Sequence, residues 1–229
     1  TSGTQTYNDA LTRLNNTTLT SNGAGALGNV SFNSTIGGAK TLAVNTAGTT
    51  LFNDNVNIAQ LTTDAPGAVQ INAATVTTSG TQTYNDALTL LNNTTLASTG
   101  AGNITFNSTV DGAKTLAVNT AGNTTFNGRV GNTAALMSLT TDAAGTTNVN
   151  GLSVKTIAAQ TYNDDVVVGA NALFSSVGDA GALPAAIPAG EIAFKKTLTG
   201  AFNVDVNTAG NTLFNGNVNH PVVTGCDFA

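Results

Sequence analysis

TSGTQTYNDALT, residues Thr1 to Thr12, returns from Thr78 to Thr89, and the stretches that follow it return in the same order. GAKTLAVNTAG runs from Gly38 and again from Gly112, followed by a Phe-Asn step at Phe52-Asn53 and again at Phe126-Asn127. A third, worn copy begins near Gln160 with QTYNDDVVV and closes through VNTAGNTLFNGNV from Val206. A module of roughly 77 residues used about three times belongs to a stacked repeat architecture in which each unit buries its apolar face against its neighbours. The spans 1–77, 78–155 and 156–229 are its three copies, together forming one solenoid over residues 1–229.

Composition selects the kind of stack. Charged residues are 8% of the chain, against about 25% in an ordinary globular domain. Roughly forty Thr and thirty Asn take their place, far above average usage. Apolar residues still make up 41% and are spread evenly, so a core can form. Thr and Val suit pleated, half-buried surfaces, and no window sustains apolar residues at i, i+3, i+4 and i+7. The chain reads as all-β.

Within each module a shorter rhythm appears: an aromatic or aliphatic residue followed by Asn. It occurs at Tyr7-Asn8, Phe32-Asn33, Phe52-Asn53 and Ile71-Asn72, then at Tyr84-Asn85, Phe106-Asn107, Phe126-Asn127 and Val149-Asn150. The third copy supplies Tyr162-Asn163 and, after an irregular stretch, Phe214-Asn215. Most steps are 19 to 25 residues, which suits one coil of a β-solenoid. The steps from Ile71 to Tyr84 and from Val149 to Tyr162 are 13, too short for a coil. Different faces of one coil would account for them, and spacing alone leaves the point open.

In such a coil each strand pairs with its counterparts above and below at about 4.8 Å. An inward residue then stacks on its equivalents, which predicts one interior aromatic column of Phe32, Phe52, Phe106, Phe126 and Phe214. Each following Asn tolerates the bend and can bond the Asn of the next coil. Alternation places Leu42, Val44, Leu116 and Val118 inward, with Ala43 and Ala117 outward. Asn45 to Gly48, Asn119 to Gly122 and Asn207 to Gly210 read as turns. The stretch from about Gly178 to Lys196 holds two of the four prolines and reads as a loop outside the stack or an edge cover. About 11 coils would make a rod on the order of 50 Å long.

The blocks GTQTYNDALTL, NITFNSTVDGAKTLAVN and TTFNG resemble repeats of filamentous-haemagglutinin-like adhesins and related β-strand-repeat proteins, which are very large secreted bacterial surface proteins. The resemblance covers nearly the whole chain except the stretch near 178–196 and the last ten residues. It implies a right-handed parallel β-helix, export across the outer membrane and a place at the cell surface. It carries over no catalytic residue.

Charge and chemistry narrow the functional classes. A net charge of -5 without a Lys/Arg cluster lacks the basic footprint nucleic acid requires. No apolar run approaches the 18 or more residues of a membrane-spanning helix. The chain starts in mid-repeat, which reads as a processed product or a piece of something longer. Glycoside hydrolysis needs two carboxylates across a cleft. Asp164 and Asp165 are adjacent and point to opposite sides of a strand, while Asp9 and Asp86 hold equivalent repeat positions and read as corner residues. The nonrepetitive cluster Asp179, Glu191, Lys195 and Lys196 reads as a solvated loop ahead of a catalytic site. His220 has only Cys226 as a soft neighbour, short of the four ligands zinc normally takes. Cys226 reads as a small buried thiol, with an intermolecular disulfide as the alternative.

No catalytic, metal or cofactor-binding residue is assigned, and the chain reads as a non-enzyme. The expectation is a structural rod of an extracellular bacterial surface protein, acting as an adhesin stalk or a self-assembling fibre. Its partners would be further copies, joined end to end or side by side, or glycans and proteins of host or neighbouring cells. A glycan- or ice-binding solenoid is the alternative, and a polysaccharide-degrading β-helix comes after it.

Overall fold

The computed structural model describes residues 1–178, 187–221, 223 and 224. These residues form short parallel strands, with a single 3-10 turn at Gly25–Gly28. The strands stack as a β-solenoid of about 10 turns with ~21 residues per turn.

Each turn contributes one strand to each of three faces. Face A holds six strands from Gln5–Tyr7 to Val110–Asp111, crosses the seventh turn through the bridges of Val130 to Val110 and Val154, and continues from Ser153–Thr156. Face B is a ten-stranded sheet from Leu11–Thr12 to Thr212–Phe214. Face C is another, from Thr17–Ser21 to Val218–Asn219. Every pairing is parallel, so the backbone bonds run from turn to turn.

The strands form where the sequence alternates. Thr41–Thr46 buries every second residue, with Leu42 and Val44 at most 1% exposed and Ala43 facing out. Leu116 and Val118 repeat the arrangement in Thr115–Thr120. The strands run through Asn45-Thr46 and Asn119-Thr120, so the chain turns only at the following Ala-Gly, a shorter turn than the sequence predicts. The reason is the buried threonine hydroxyl. Thr46 Oγ1 accepts from Gly48 N–H at 3.0 Å and donates to Gly28 O one turn below, and Thr120 does the same with Gly122 and Gly102. Such a bond fixes the corner from inside the strand.

The aromatic residues do not form one column. Tyr7, Phe32 and Phe52 stack on face A, Tyr84, Phe106 and Phe126 on face C, and Tyr162, Phe194 and Phe214 on face B. Neighbouring rings in the ladders stand 4.9 to 5.4 Å apart and lie nearly parallel. The physical reason is a mismatch of periods. A module of roughly 77 residues is not a whole number of turns of ~21. From Tyr7 to Tyr84 the chain advances three turns and two faces, and from Tyr84 to Tyr162 it does so again. Each module is therefore its predecessor carried up a screw and turned by two faces. This also settles the 13-residue steps: Ile71 lies on face A and Tyr84 on face C of one turn, Val149 on face C and Tyr162 on face B of its successor.

The irregular stretch ends earlier than residue 196. Ile192–Phe194 is a regular strand of face B in register with Gln160–Tyr162, and Leu198–Gly200 continues face C. Phe194 thus completes the third aromatic ladder, which sequence spacing passed over because Lys195 follows it in place of Asn. Residues 179–186 lie outside the described residues.

Asn spines run beside two of the ladders. Asn33 donates to Asn8 at 2.8 Å and Asn53 to Asn33 at 2.7 Å on face A; Asn107 donates to Asn85, Asn127 to Asn107 and Asn150 to Asn127 on face C, at 2.6 to 2.8 Å. Each amide inside a spine, such as Asn33, Asn107 and Asn127, both gives and takes, so the spine propagates from turn to turn.

A second interior device accompanies each ladder. Gln82 and Tyr84 are fully buried; the Tyr84 hydroxyl donates to Gln82 Oε1, and Gln82 Nε2 donates to Val76 O and Ala97 O. Gln160 and Tyr162 repeat this on face B with Val154 O and Ser175 O. The only visible trace is the recurrence of Gln two places before Tyr, read above as part of the repeat and not as a polar core.

Candidate functional site

The outward surface offers rows, not a cleft. On face C the register aligns Thr62, Thr83, Thr105 and Thr125 in four consecutive turns, followed by Asn148, Val167 and Thr199. The Asn85–Asn107–Asn127–Asn150 spine flanks this row on one side, and Asn103 and Asn123, joined by a 2.9 Å bond, flank it on the other. Hydroxyls and amides spaced by the strand separation of about 4.8 Å make a flat, neutral array able to donate and accept hydrogen bonds. A Thr-x-Thr pair occurs on this stretch at Thr81 and Thr83, whereas the turns above carry Asn-x-Thr at 103–105 and 123–125.

Of the four aspartates singled out from the sequence, Asp86 and Asp164 lie beneath the surface and Asp9 and Asp165 face out. Asp9 is exposed in the first turn, but its equivalents Asp86 and Asp164 are 4% and 1% exposed, turned inward at their corners. Asp165 faces out, opposite to Asp164 as alternation requires, and its Oδ1 accepts from Thr197 N–H at 3.0 Å. Asp164 is held by the hydroxyls of Thr141 at 2.7 Å and Thr147 at 2.8 Å. Burial raises its carboxyl above the ordinary range, those two hydroxyls pull it back, and Asp142 adds a smaller upward push. Asp86 lacks the second hydroxyl because Val69 stands where Thr147 stands one module later. Burial pushes the Asp86 carboxyl up to about 6, the charge of Asp64 adds to it, and the nearby Thr63 hydroxyl offsets part. Neither buried acid can reach a polysaccharide lying on the surface.

The cluster read in the irregular stretch disperses. Glu191 and Lys195 form a 3.7 Å ion pair one strand apart, and Lys196 Nζ donates to Ala143 O two turns away in the stack. Asp179 lies outside the described residues, as does Cys226. His220 Nδ1 stands 2.9 Å from Phe202 O. Among the described residues no group of three or more His, Cys, Asp or Glu gathers to hold a metal ion, and no helix is long and apolar enough to cross a membrane.

Comparison with protein-family models, with curated proteins and with solved structures found no match to the chain.

Proposed function

We propose that the chain is a rod segment of an exported bacterial surface protein, serving as a stalk or as the repeating body of an extracellular fibre. One observation supports it above the others: the three faces keep register through about ten turns around an interior of repeated buried rows, while the outer side chains are mostly neutral Thr, Asn and Ala. Stability then comes from nearest-neighbour terms that add with each turn, which is what a spacer requires. At ~4.8 Å per turn the rod would be about 50 Å long. Electron microscopy of the purified chain tests this. Isolated short rods favour a stalk, and long filaments with an axial repeat near one chain length favour self-assembly at the cell surface. Compact particles without an axis would sink both forms.

A second reading is favoured by the Thr62–Thr83–Thr105–Thr125 row: a flank that holds extracellular glycans through hydroxyl and amide ladders. Ice binding fits less well, because the adjoining row, Gln60, Thr81, Asn103 and Asn123, holds a single Thr. Glycan-array binding that disappears when Thr83 and Thr105 are both replaced by Lys would support this reading. Binding unchanged by that replacement would remove it.

A further inference from the structure

Asp86 sits where face C bends into face A, stacked over the Asp64 to Gly67 corner of the preceding turn: Tyr84 registers on Thr63, and Ala87 on Ala68. A methyl group at Gly67 would come within 3.1 Å of Asp86 Oδ1, so the carboxyl rests on that corner. Its side chain is buried, and neither oxygen closes a hydrogen bond of normal geometry. The Thr63 hydroxyl reaches the carboxyl only as a poorly aligned donor and, fully buried, closes no bond of normal geometry. The surrounding elements supply no cation. Face C brings Thr63, the lower corner brings Asp64, the strand Ala68–Ile71 brings Val69, and the corner above runs through Asn107, Ser108 and Thr109. Asp64 is fixed in place by accepting from Thr46 N–H at 2.8 Å. The one charge acting on Asp86 is thus another carboxylate.

A buried carboxyl met by a single poorly aligned hydroxyl, with a like charge beside it, favours its neutral form. We propose that this corner is a proton-operated latch: packed shut while Asp86 carries its proton, and loosened between Asp64 and Leu88 when the proton leaves. Because folding raises the affinity of Asp86 for its proton, the stabilisation is fully present below the ordinary aspartate range and is lost as pH rises through about 6. Asp164, one module on, is the comparison: burial raises it as well, but Thr141 and Thr147 both donate to its charged form.

The test uses the full chain, with amide hydrogen exchange over Ala87 to Leu90 corrected for intrinsic rates, and carboxyl-carbon NMR of Asp86. In the native sequence local opening should rise by about tenfold to a hundredfold from acid to mildly alkaline pH, the size set by the linkage of the proton to opening. D86N should abolish the rise. V69T, which places a hydroxyl where Thr147 serves Asp164, should lower the Asp86 midpoint and reduce the rise. An equal rise in native chain and D86N would overturn the latch. If D86N does not fold, an unchanged rise and midpoint in V69T would overturn it instead. Closure of the alkaline corner by millimolar calcium, absent in D86N, would also overturn it and make the corner a cation site.

Discussion

Asp86 and Asp164 occupy the same place in successive modules, two faces apart on the screw, yet one is held by two hydroxyls and the other by none of normal geometry. The backbone around them is equivalent: each follows an aromatic residue in register with a buried Thr, and each precedes a strand in register with the one below. One hydroxyl is lost because Val69 stands in the place of Thr147, and the other because Thr63, in the place of Thr141, closes no well-formed bond. The stack therefore tolerates either an apolar or a polar residue in that interior row, because both favour strand and both fit the row. What changes is the electrostatics of a neighbour.

The same pair of modules differs along the outside. The Asn spine beside the second ladder runs unbroken from Asn85 to Asn150, whereas Lys195 interrupts the third between Asn163 and Asn215. Phe194 still stacks between Tyr162 and Phe214, and Phe174 meets Phe194 edge-on at 5.1 Å. The buried rings therefore hold register where the surface amides fail.

That ordering of interior over exterior can be broken in several ways. The largest effect should come from Phe126→Ala, about 3–5 kcal/mol for a fully buried aromatic truncation. Phe214→Ala, at a half-buried ring, should cost visibly less in the same denaturant melts. Equal losses would show that the ladders are not the core. Gly112→Ala comes next, at about 2–3 kcal/mol, because Gly112 has a φ of 121° and an added methyl would meet the carbonyl of Leu90 below. Gly37, with nothing within 4 Å, is the control and should accept Ala without steric penalty.

Thr147→Val should cost about 1–2 kcal/mol near neutral pH, since it strips a hydroxyl from a buried carboxylate. It should also make Asp164 resemble Asp86, so that stability falls more steeply as pH rises; a pH profile of the melting temperature that stays parallel to that of the native chain would contradict this. The smallest effects belong to the spine. Asn107→Ala, which removes one donated and one accepted bond at an exposed position, should cost about 1 kcal/mol, and Lys195→Asn should return about half of that if the third spine closes. Thermal melts of both variants decide whether surface amides contribute at all.

Much of this was open to a reader of the chain. The inward placement of Leu42 and Val44 followed from alternation, and the Asn-to-Asn bonds followed from the Asn after most of the inward aromatics. The single aromatic column did not, because equivalence in sequence is not equivalence in space. Phe32 and Phe106 hold the same place in the repeat but stand on faces A and C. Phe194 was hidden by its Lys neighbour, and Arg13 by its position: it takes the place of Leu90 and is buried, with Nη2 donating to Lys40 O at 2.5 Å. The acids were legible only as corner residues. Whether a corner carboxyl points to solvent, as Asp9 does, or into the stack, as Asp86 does, depends on having a turn on either side.

By itself, then, the sequence determined that this chain is a β-solenoid, because apolar alternation and repetition act locally and are written residue by residue. The number of residues that close one turn is a property of three-dimensional packing, since it depends on how three strands and their corners meet around a common interior. Only the tertiary structure decided that a module of roughly 77 residues and a turn of ~21 do not divide evenly. From that mismatch come the three ladders in place of one and the displacement of each Asp corner to a new face.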